Sequence, residues 1–232
     1  ILADQPEPPV YWGRMKTWNR GGFPFLKGLP DISKIEVSEF RTLADKSEVM
    51  ILDTNQDRRR FMAYHVKGSI YAPLDSTFPT IAGSYVVPED EIYLILENEE
   101  DVDIAVRMLV RIGLDHVRGY FLTGELHQLV NSHTPMESTE VFSTEELAAQ
   151  ASDPGVTVVD VRKATEYQEA HLPGAVNIAH TRLAARLEEL SRDQRLLVHC
   201  GSGKRAASAA SYLMREGFDV SFFDGFVEAA LS

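Results

Sequence analysis

Short apolar runs alternate with segments of helical periodicity over most of the chain. The runs at 49–53, 93–96 and 156–160 are rich in Val, Ile and Leu and predict short strands. Residues 102–112 place apolar side chains at the spacing of an α-helix, and Gly113 is a natural residue for its end. Strands that alternate with helices predict an α/β fold, in which a parallel sheet is covered by helices on both faces.

The clearest strand–loop–helix pattern lies near the carboxyl end of the chain. The apolar residues 196–198 are followed by His199, the loop 200–205 (Cys-Gly-Ser-Gly-Lys-Arg) and the alanine-rich residues 206–216, after which comes Gly217. An apolar run bounded by glycine is typical of a buried strand, and alanine favours a helix. The loop is therefore predicted to present its N–H groups at a helix N-terminus, which favours an anion.

Cys200 is the only cysteine of the chain and lies where the predicted strand becomes the loop. A thiol beside inward-turned amides and a positive charge forms a thiolate more readily, so we predict that Cys200 is a nucleophile and that Arg205 is catalytic with it. The side chain of His199 is predicted to point to the face of the strand opposite to that of its neighbour Cys200. The residues expected to bind the substrate are Gly201, Ser202, Gly203, Lys204 and Arg162.

The second half of the chain repeats the first at a distance of roughly one hundred residues, the size of a small domain. Residues 156–160 correspond to 49–53, and residues 171–176 to 65–70. The loop is not repeated, because residues 96–101 contain no cysteine, glycine or positive charge. Two copies of one fold are predicted, of which the first lacks a nucleophile.

Composition shifts predict the domain boundaries. Over residues 1–35, prolines alternate with aromatic residues, which predicts an extended arm rather than an independent core. The first domain is placed at 36–130, a polar linker containing Pro135 at 131–138, and the second domain at 139–232. The chain begins at Ile1 without a Met, which suggests a piece of a longer protein.

Charge and cysteine usage narrow the class of protein. A formal net charge of −12 argues against nucleic-acid binding. A single cysteine cannot form an intramolecular disulfide, so a reducing compartment, the cytoplasm, is expected. No apolar run approaches the roughly 18 residues that a membrane span needs, and no membrane partner is expected.

The second half resembles the rhodanese (sulfurtransferase) family. The resemblance lies in the order and spacing of Asp160-Val161-Arg162, Glu166-Tyr167, residues 171–178, Arg186-Leu187 and the loop 200–205. It implies two rhodanese-like domains, each with a five-stranded parallel sheet, of which the first is degenerate. It also implies that Cys200 carries a covalent persulfide, with no further cofactor, between a small-molecule sulfur donor and a thiol acceptor.

Two further comparisons concern the ends of the chain. Residues 5–11, with Arg14-Met15 and 19–21, resemble the end of the metallo-β-lactamase-fold domain in fused persulfide dioxygenase–rhodanese proteins, which implies a possible upstream domain. The histidine-rich metal motifs of that fold are absent, so no metal is assigned to this chain. At residues 224–226 the chain has Asp-Gly-Phe where the rhodanese family usually has Asp-Gly-Gly and a Trp soon after, which puts the packing of that turn in doubt.

The function predicted from these observations is transfer of sulfane sulfur from a persulfide, polysulfide or thiosulfate to a thiol or cyanide. Two alternatives stay open. Both domains could form a non-catalytic binding or regulatory module of a larger sulfur-oxidising protein. A cysteine-dependent phosphatase is the other, but such enzymes place five residues between Cys and Arg, whereas only 201–204 separate Cys200 from Arg205.

Overall fold

The computed structural model of the protein describes residues 7–22, 26, 28–44, 46 and 48–227. These residues form two compact units. The amino-terminal unit contains 9–57 and 65–137, and the carboxy-terminal unit contains 7–8, 58–64 and 138–227. The segment 58–64 thus belongs to the carboxy-terminal unit although it lies in the first half of the sequence. The domain boundaries proposed from the sequence stay a prediction.

Helices and short strands follow one another along the described residues. The helices are α1 (Tyr11–Gly21), α2 (Val37–Ala44), α3 (Arg58–Ala63), α4 (Phe78–Tyr85), α5 (Asp101–Val110), α6 (Leu126–Asn131), α7 (Thr144–Ala151), α8 (Ala164–Glu169) and α9 (Lys204–Arg215). The strands are β1 (Ser33–Lys34), β2 (Val49–Asp53), β3 (His65–Val66), β4 (Ile70–Tyr71), β5 (Glu91–Leu96), β6 (Val117–Leu122), β7 (Met136–Glu137), β8 (Glu140–Phe142), β9 (Val156–Asp160), β10 (Val176–Asn177), β11 (Arg195–His199) and β12 (Val220–Phe223).

Each unit contains a parallel sheet of five strands. The order is β1-β6-β5-β2-β4 in the amino-terminal unit and β8-β12-β11-β9-β10 in the carboxy-terminal unit. In each sheet the strand that precedes the loop of interest, β5 or β11, lies in the middle, and all of the pairings are parallel. The predicted fold class, two α/β units with five-stranded parallel sheets flanked by helices, is confirmed.

The central strands show why helices must cover both faces of each sheet. All five residues of β2 are buried, as are the last four of β11. Because alternate side chains of a strand point to opposite faces, such a strand needs apolar cover on both sides. In the amino-terminal unit, Phe40 of α2 provides part of this cover and lies 5.1 Å from the ring of Phe121, measured between ring centroids.

The prediction of an extended arm is wrong for residues 11–21, which form helix α1. The prolines that suggested an extended chain, Pro8 and Pro9 among them, lie outside the helical residues, so they do not interrupt it. Tyr11 is buried, and its ring occupies the space where a side chain on Gly83 of α4 would lie. Residues 1–6, 23–25 and 27 of the predicted arm are outside the described residues.

The predicted linker contains regular structure. Within 131–138, β7 pairs with β3 in an antiparallel ladder in which Glu137 lies opposite His65. The side-chain carboxylate of Glu137 also accepts a hydrogen bond from the N–H of Gly68, at 2.8 Å. Further along the chain, Gly217 adopts a φ of 82° just after α9, as expected for a residue that ends a helix.

Within the described residues, the structure contains no helix that is long and apolar enough to cross a membrane.

Two helical glycines provide a test of how α1 packs. Gly13→Ala in α1, where no atom lies within 4 Å of the added methyl group, is expected to stabilise the protein by up to about 1 kcal/mol, because alanine favours a helix. Gly83→Ala gains the same propensity but meets the ring of Tyr11, so a net destabilisation of about 1–3 kcal/mol is expected. Urea unfolding of both variants measures the difference, and a Gly83→Ala protein as stable as Gly13→Ala would contradict the packing of Tyr11.

Candidate active site

The loop that carries the only cysteine joins the central strand β11 to helix α9. It consists of residues 200–203, and its last residue, Gly203, has a φ of 92°. This conformation is rarely adopted by residues with a side chain. A Cβ atom at Gly203 would also lie 2.8 Å from Asp224 Oδ1 and 2.9 Å from Arg58 Nε. Backbone conformation and close neighbours therefore both require glycine at this position.

Cys200 is buried, with 1% of its surface exposed, and its thiol is free. Its Sγ accepts hydrogen bonds from the backbone N–H of Gly203 at 3.2 Å and of Ala206 at 3.4 Å. Both N–H groups lie at the start of α9, where the helix dipole is positive. The cradle of amides predicted from the sequence is present around the sulfur, and it is formed by Gly203 and Ala206.

Arg205 lies beside Cys200 and is held by Glu166 of α8. Its Nη1 and Nη2 donate to the two carboxylate oxygens of Glu166 at 2.7 and 2.8 Å. These hydrogen bonds raise the pKa of Arg205 and lower that of Glu166, and the guanidinium also interacts with Cys200. The sequence singled out Arg205, but gave Glu166 no role beyond the resemblance.

His180 is a neighbour of this ion pair that sequence reasoning missed. Burial, with a further contribution from the positive charge of Arg205, lowers the pKa of His180 to about 4, while Glu166 opposes the change. Its Nδ1 atom is buried and has no hydrogen-bond partner among the described residues. His180 is therefore neutral near pH 7. No motif in the sequence marks it, because its position depends on how the segment after β10 folds back.

Arg162 lies in a buried cluster at the end of β9. Only 3% of its surface is exposed. Its Nη2 donates to Asp160 Oδ2 at 2.6 Å and to the carbonyl oxygen of Ala170 at 2.7 Å. His199 is completely buried on the same side, with Nε2 at 3.8 Å from Asp160 Oδ2. These are contacts of residues that fix the end of the sheet, and a role of Arg162 in binding substrate stays a prediction.

The remaining predicted residues lie on the loop and at the start of α9. Ser202 of the loop is exposed, while Gly201 of the loop and Lys204, the first residue of α9, are partly exposed. The loop therefore offers a polar outer surface at Ser202 and a buried inner surface at Cys200.

Asp224 occupies the turn whose sequence departs from the rhodanese pattern. Its Oδ1 accepts from Arg58 Nε and its Oδ2 from Arg59 Nε, both at 2.7 Å. The sequence did contain a signal for these partners, since residues 58–60 are three successive arginines in an acidic chain. It could not show that they belong to the carboxy-terminal unit.

The amino-terminal unit has a loop of the same length at the same place in its sheet. Residues 97–100 join β5 to α5 as 200–203 join β11 to α9, so Glu97 stands at the position of Cys200. Glu100, at the position of Gly203, has a φ of −65°. Glu99 accepts a hydrogen bond from the hydroxyl of Tyr120 at 2.6 Å, which raises the pKa of Tyr120 to about 12. This loop presents carboxylates and has no thiol.

A search of the described part of the chain finds no group of three or more His, Cys, Asp or Glu side chains placed to hold a metal ion.

Comparisons with known proteins concern mainly the carboxy-terminal half. Residues 143–231 match the family model of the rhodanese-like domain. The protein YrkF of Bacillus subtilis (strain 168), whose name proposes a sulfur carrier protein, is 32% identical over 103 residues. The alignment covers 44% of this chain and 54% of YrkF, so this chain spans about half the length of that curated relative.

The solved structures that match this chain include a rhodanese-like domain protein from Staphylococcus aureus, with 25% identity over 40% of this chain and 91% of that chain and a TM-score of 0.37. The thiosulfate sulfurtransferase from Pseudomonas aeruginosa is 19% identical, over 96% of this chain and 46% of that chain, with a TM-score of 0.39. Residues 143–231 of this chain are thus similar to the rhodanese-like domain family.

Proposed function

We propose that this protein is a rhodanese-type sulfurtransferase that moves sulfane sulfur through a persulfide on Cys200. The observation that carries this proposal is the pair of N–H groups, of Gly203 and Ala206, that point at Cys200 Sγ. Such groups stabilise an anion on sulfur without a metal or another cofactor. The family match of residues 143–231 and the proposed sulfur carrier role in the name of YrkF support it.

In the first step, the thiolate of Cys200 attacks the outer sulfur of the donor. A bond forms between Cys200 Sγ and that sulfur, and the bond that joined it to the rest of the donor breaks. A persulfide or polysulfide donor releases the remaining thiolate or shorter polysulfide with the electron pair, and thiosulfate releases sulfite. The enzyme is left as Cys200–S–S⁻, and the step needs no separate oxidant because the sulfane sulfur is already oxidised in the donor.

In the second step, an acceptor attacks the terminal sulfur of the persulfide. The acceptor is a thiolate, which becomes a persulfide, or cyanide, which becomes thiocyanate. The bond between that sulfur and Cys200 breaks, and the electron pair returns to Cys200 as a thiolate. The chemistry of both steps is the same displacement at sulfur, so one cradle serves both.

The residues around Cys200 are proposed to share the work as follows. Arg205, oriented by the carboxylate of Glu166, faces the negative charge on the sulfur atoms during both steps. Gly201, Ser202 and Lys204 line the approach of the substrate, since each of them is at least partly exposed. Arg162 is proposed to take part in binding the substrate, and its positive charge also contributes to the lowered pKa of Glu166.

Neutral His180 is proposed to keep the Arg205 side of the site free of a further positive charge. A protonated imidazole there would compete with Arg205 for Glu166. Burial and Arg205 together hold its pKa at about 4, so His180 is neutral at the pH at which thiolates are available.

For the whole protein, we propose that the amino-terminal unit is a degenerate rhodanese-like domain without its own nucleophile. Its sheet has the same strand order as the carboxy-terminal one, and Glu97 stands where Cys200 does. An upstream metallo-β-lactamase-fold domain and a cytoplasmic location stay proposals from the sequence. A reducing compartment suits the chemistry, because Cys200 must be a free thiol to begin each cycle.

Intact-mass measurement tests the persulfide. After exposure to thiosulfate, mercaptopyruvate or glutathione persulfide in turn, the protein is expected to gain one sulfur atom with at least one donor, and to lose it on addition of cyanide. Cys200→Ser should gain none while keeping the thermal unfolding midpoint of the parent. Sulfur transfer at the parent rate by Cys200→Ser would overturn the proposal, and hydrolysis of an aryl phosphate without sulfur transfer would favour the phosphatase.

Glu166→Gln tests whether Arg205 must be held in place. The variant keeps the guanidinium of Arg205 but loses the carboxylate that accepts two hydrogen bonds from it, so kcat/KM for transfer to cyanide is expected to fall about tenfold or more. Glu169→Gln, an exposed substitution in the same helix, is the matched control and should leave the rate unchanged. Equal rates in the two variants would show that Glu166 does not orient Arg205.

His180 makes a specific contribution to the pH dependence of stability. Between pH 6.5 and about 4, the unfolded chain binds a proton at His180 that the folded protein does not, so the free energy of unfolding falls as the pH falls through this window. The loss is at most about 3 kcal/mol. His180→Gln should lack this part of the pH dependence, whereas His171→Gln, at an exposed position, should retain it. Identical pH profiles of unfolding for the parent and His180→Gln would contradict the lowered pKa.

A further inference from the structure

Helix α3, although it lies in the first half of the sequence, is an integral part of the carboxy-terminal unit. Phe61 and Met62 are buried, and the carbonyl oxygen of Met62 accepts a hydrogen bond from the N–H of Thr139 at 2.8 Å. The helix packs against α9, which starts at the Cys200 loop, and against β8. The side chains at its start are therefore held in fixed positions relative to the site.

Two arginines at the start of α3 share one carboxylate. Arg58 and Arg59 each donate from Nε to one oxygen of Asp224, whose side chain is 5% exposed. Burial by itself would raise the pKa of Asp224, but the hydrogen bonds from Arg59 and Arg58 outweigh it and the pKa is lowered. Asp224 is thus ionised and serves as the anchor of both arginines.

The two arginines differ in their distance from the sulfur loop. Arg58 Nε and Cζ lie 2.9 and 3.3 Å from the point where a Cβ atom of Gly203 would be, and the N–H of Gly203 points at Cys200 Sγ. The side chain of Arg58 is 33% exposed, whereas that of Arg59 is 77% exposed. Arg58 therefore lies at the rim of the cradle, and Arg59 is the more exposed of the two arginines.

The charge balance around Cys200 favours a role for Arg58 with the substrate. The guanidinium of Arg205 is matched by the carboxylate of Glu166 through two hydrogen bonds, so this pair is neutral as a whole. Asp224 accepts hydrogen bonds from both Arg58 and Arg59, which places the Arg58 guanidinium next to the loop. In a chain of net charge −12, a guanidinium at that place favours the approach of an anion.

We infer that Arg58 binds the anionic end of the sulfur donor, the sulfonate or carboxylate group that lies away from the transferred sulfur. This inference rests on the proposed sulfurtransferase function and adds a specificity-determining residue to it. Arg58 donates to Asp224 through Nε and its side chain is 33% exposed, and a planar guanidinium has the geometry to bind a sulfonate or a carboxylate through its Nη groups. The first half of the sequence thereby contributes directly to selection of the donor.

The matched variants Arg58→Gln and Arg59→Gln test this role. Each removes one charge and one hydrogen bond to Asp224, but only Arg58 adjoins the loop. The rate of sulfur gain by Cys200 is measured by intact mass with thiosulfate, with glutathione persulfide, and with the persulfide of 2-mercaptoethanol, which has no further charged group. Arg58→Gln is expected to lower the rate about tenfold or more with thiosulfate and glutathione persulfide, and by less than about twofold with the persulfide of 2-mercaptoethanol. Arg59→Gln should change all three rates by less than about twofold.

The outcomes are distinct. A loss with thiosulfate alone assigns the sulfonate to Arg58, and a loss with glutathione persulfide alone assigns the carboxylate. Equal losses in the two variants, or an equal loss with all three donors, would mean that Arg58 only anchors Asp224 and would overturn the inference. If the parent protein gains no sulfur from any donor, the proposed function itself fails, which is a separate result.

A second variant covers the case in which Arg58→Gln does not fold. Arg58→Lys keeps the charge but loses the Nε hydrogen bond to Asp224. It is expected to keep the preference for donors with a sulfonate or carboxylate over the persulfide of 2-mercaptoethanol, at a reduced rate. Loss of that preference with the fold intact by circular dichroism would overturn a role for the positive charge.

Discussion

The site depends on one backbone conformation, the positive φ of Gly203. That conformation turns the N–H of Gly203 towards Cys200 Sγ and starts α9, whose N–H at Ala206 adds the second hydrogen bond. The missing side chain matters as much as the dihedral angle, because it leaves room for Asp224 and Arg58 beside the loop. A single position thus determines the sulfur's amide partners, the start of the helix and the approach of Arg58 to the loop.

Local patterns predicted the strands, the main helices and the place of Cys200 between a strand and a helix, because each depends on residues close together in the sequence. The run 49–53 and the residues around Cys200 are of this kind. Helix α1 was missed because the prolines on either side of it hid a proline-free segment that packs through Tyr11. Glu166, His180 and Arg58 were not assigned roles, since each reaches the site through the fold and not through a neighbouring motif.

The loops 97–100 and 200–203 follow corresponding strands of two sheets with the same topology, but they differ in the charge of the groups that they present. Both are four residues long and follow the middle strand of a five-stranded parallel sheet. In one, glycines and backbone N–H groups surround a thiol; in the other, the hydroxyl of Tyr120 donates to the carboxylate of Glu99. The sheet and the helix after it tolerate either loop, because their packing is set by buried apolar residues and not by the loop itself.

Because α3 is encoded in the first half of the chain but belongs to the carboxy-terminal unit, that unit depends on residues from both halves. A gene that encoded only the second half would produce a domain without Phe61 and Met62, whose burial helps complete its core, and without the arginines that hold Asp224. Selection on the proposed chemistry at Cys200 would therefore also act on codons in the first half. The amino-terminal loop has Glu97 where the carboxy-terminal loop has Cys200, while strand β2 still leads the chain into α3.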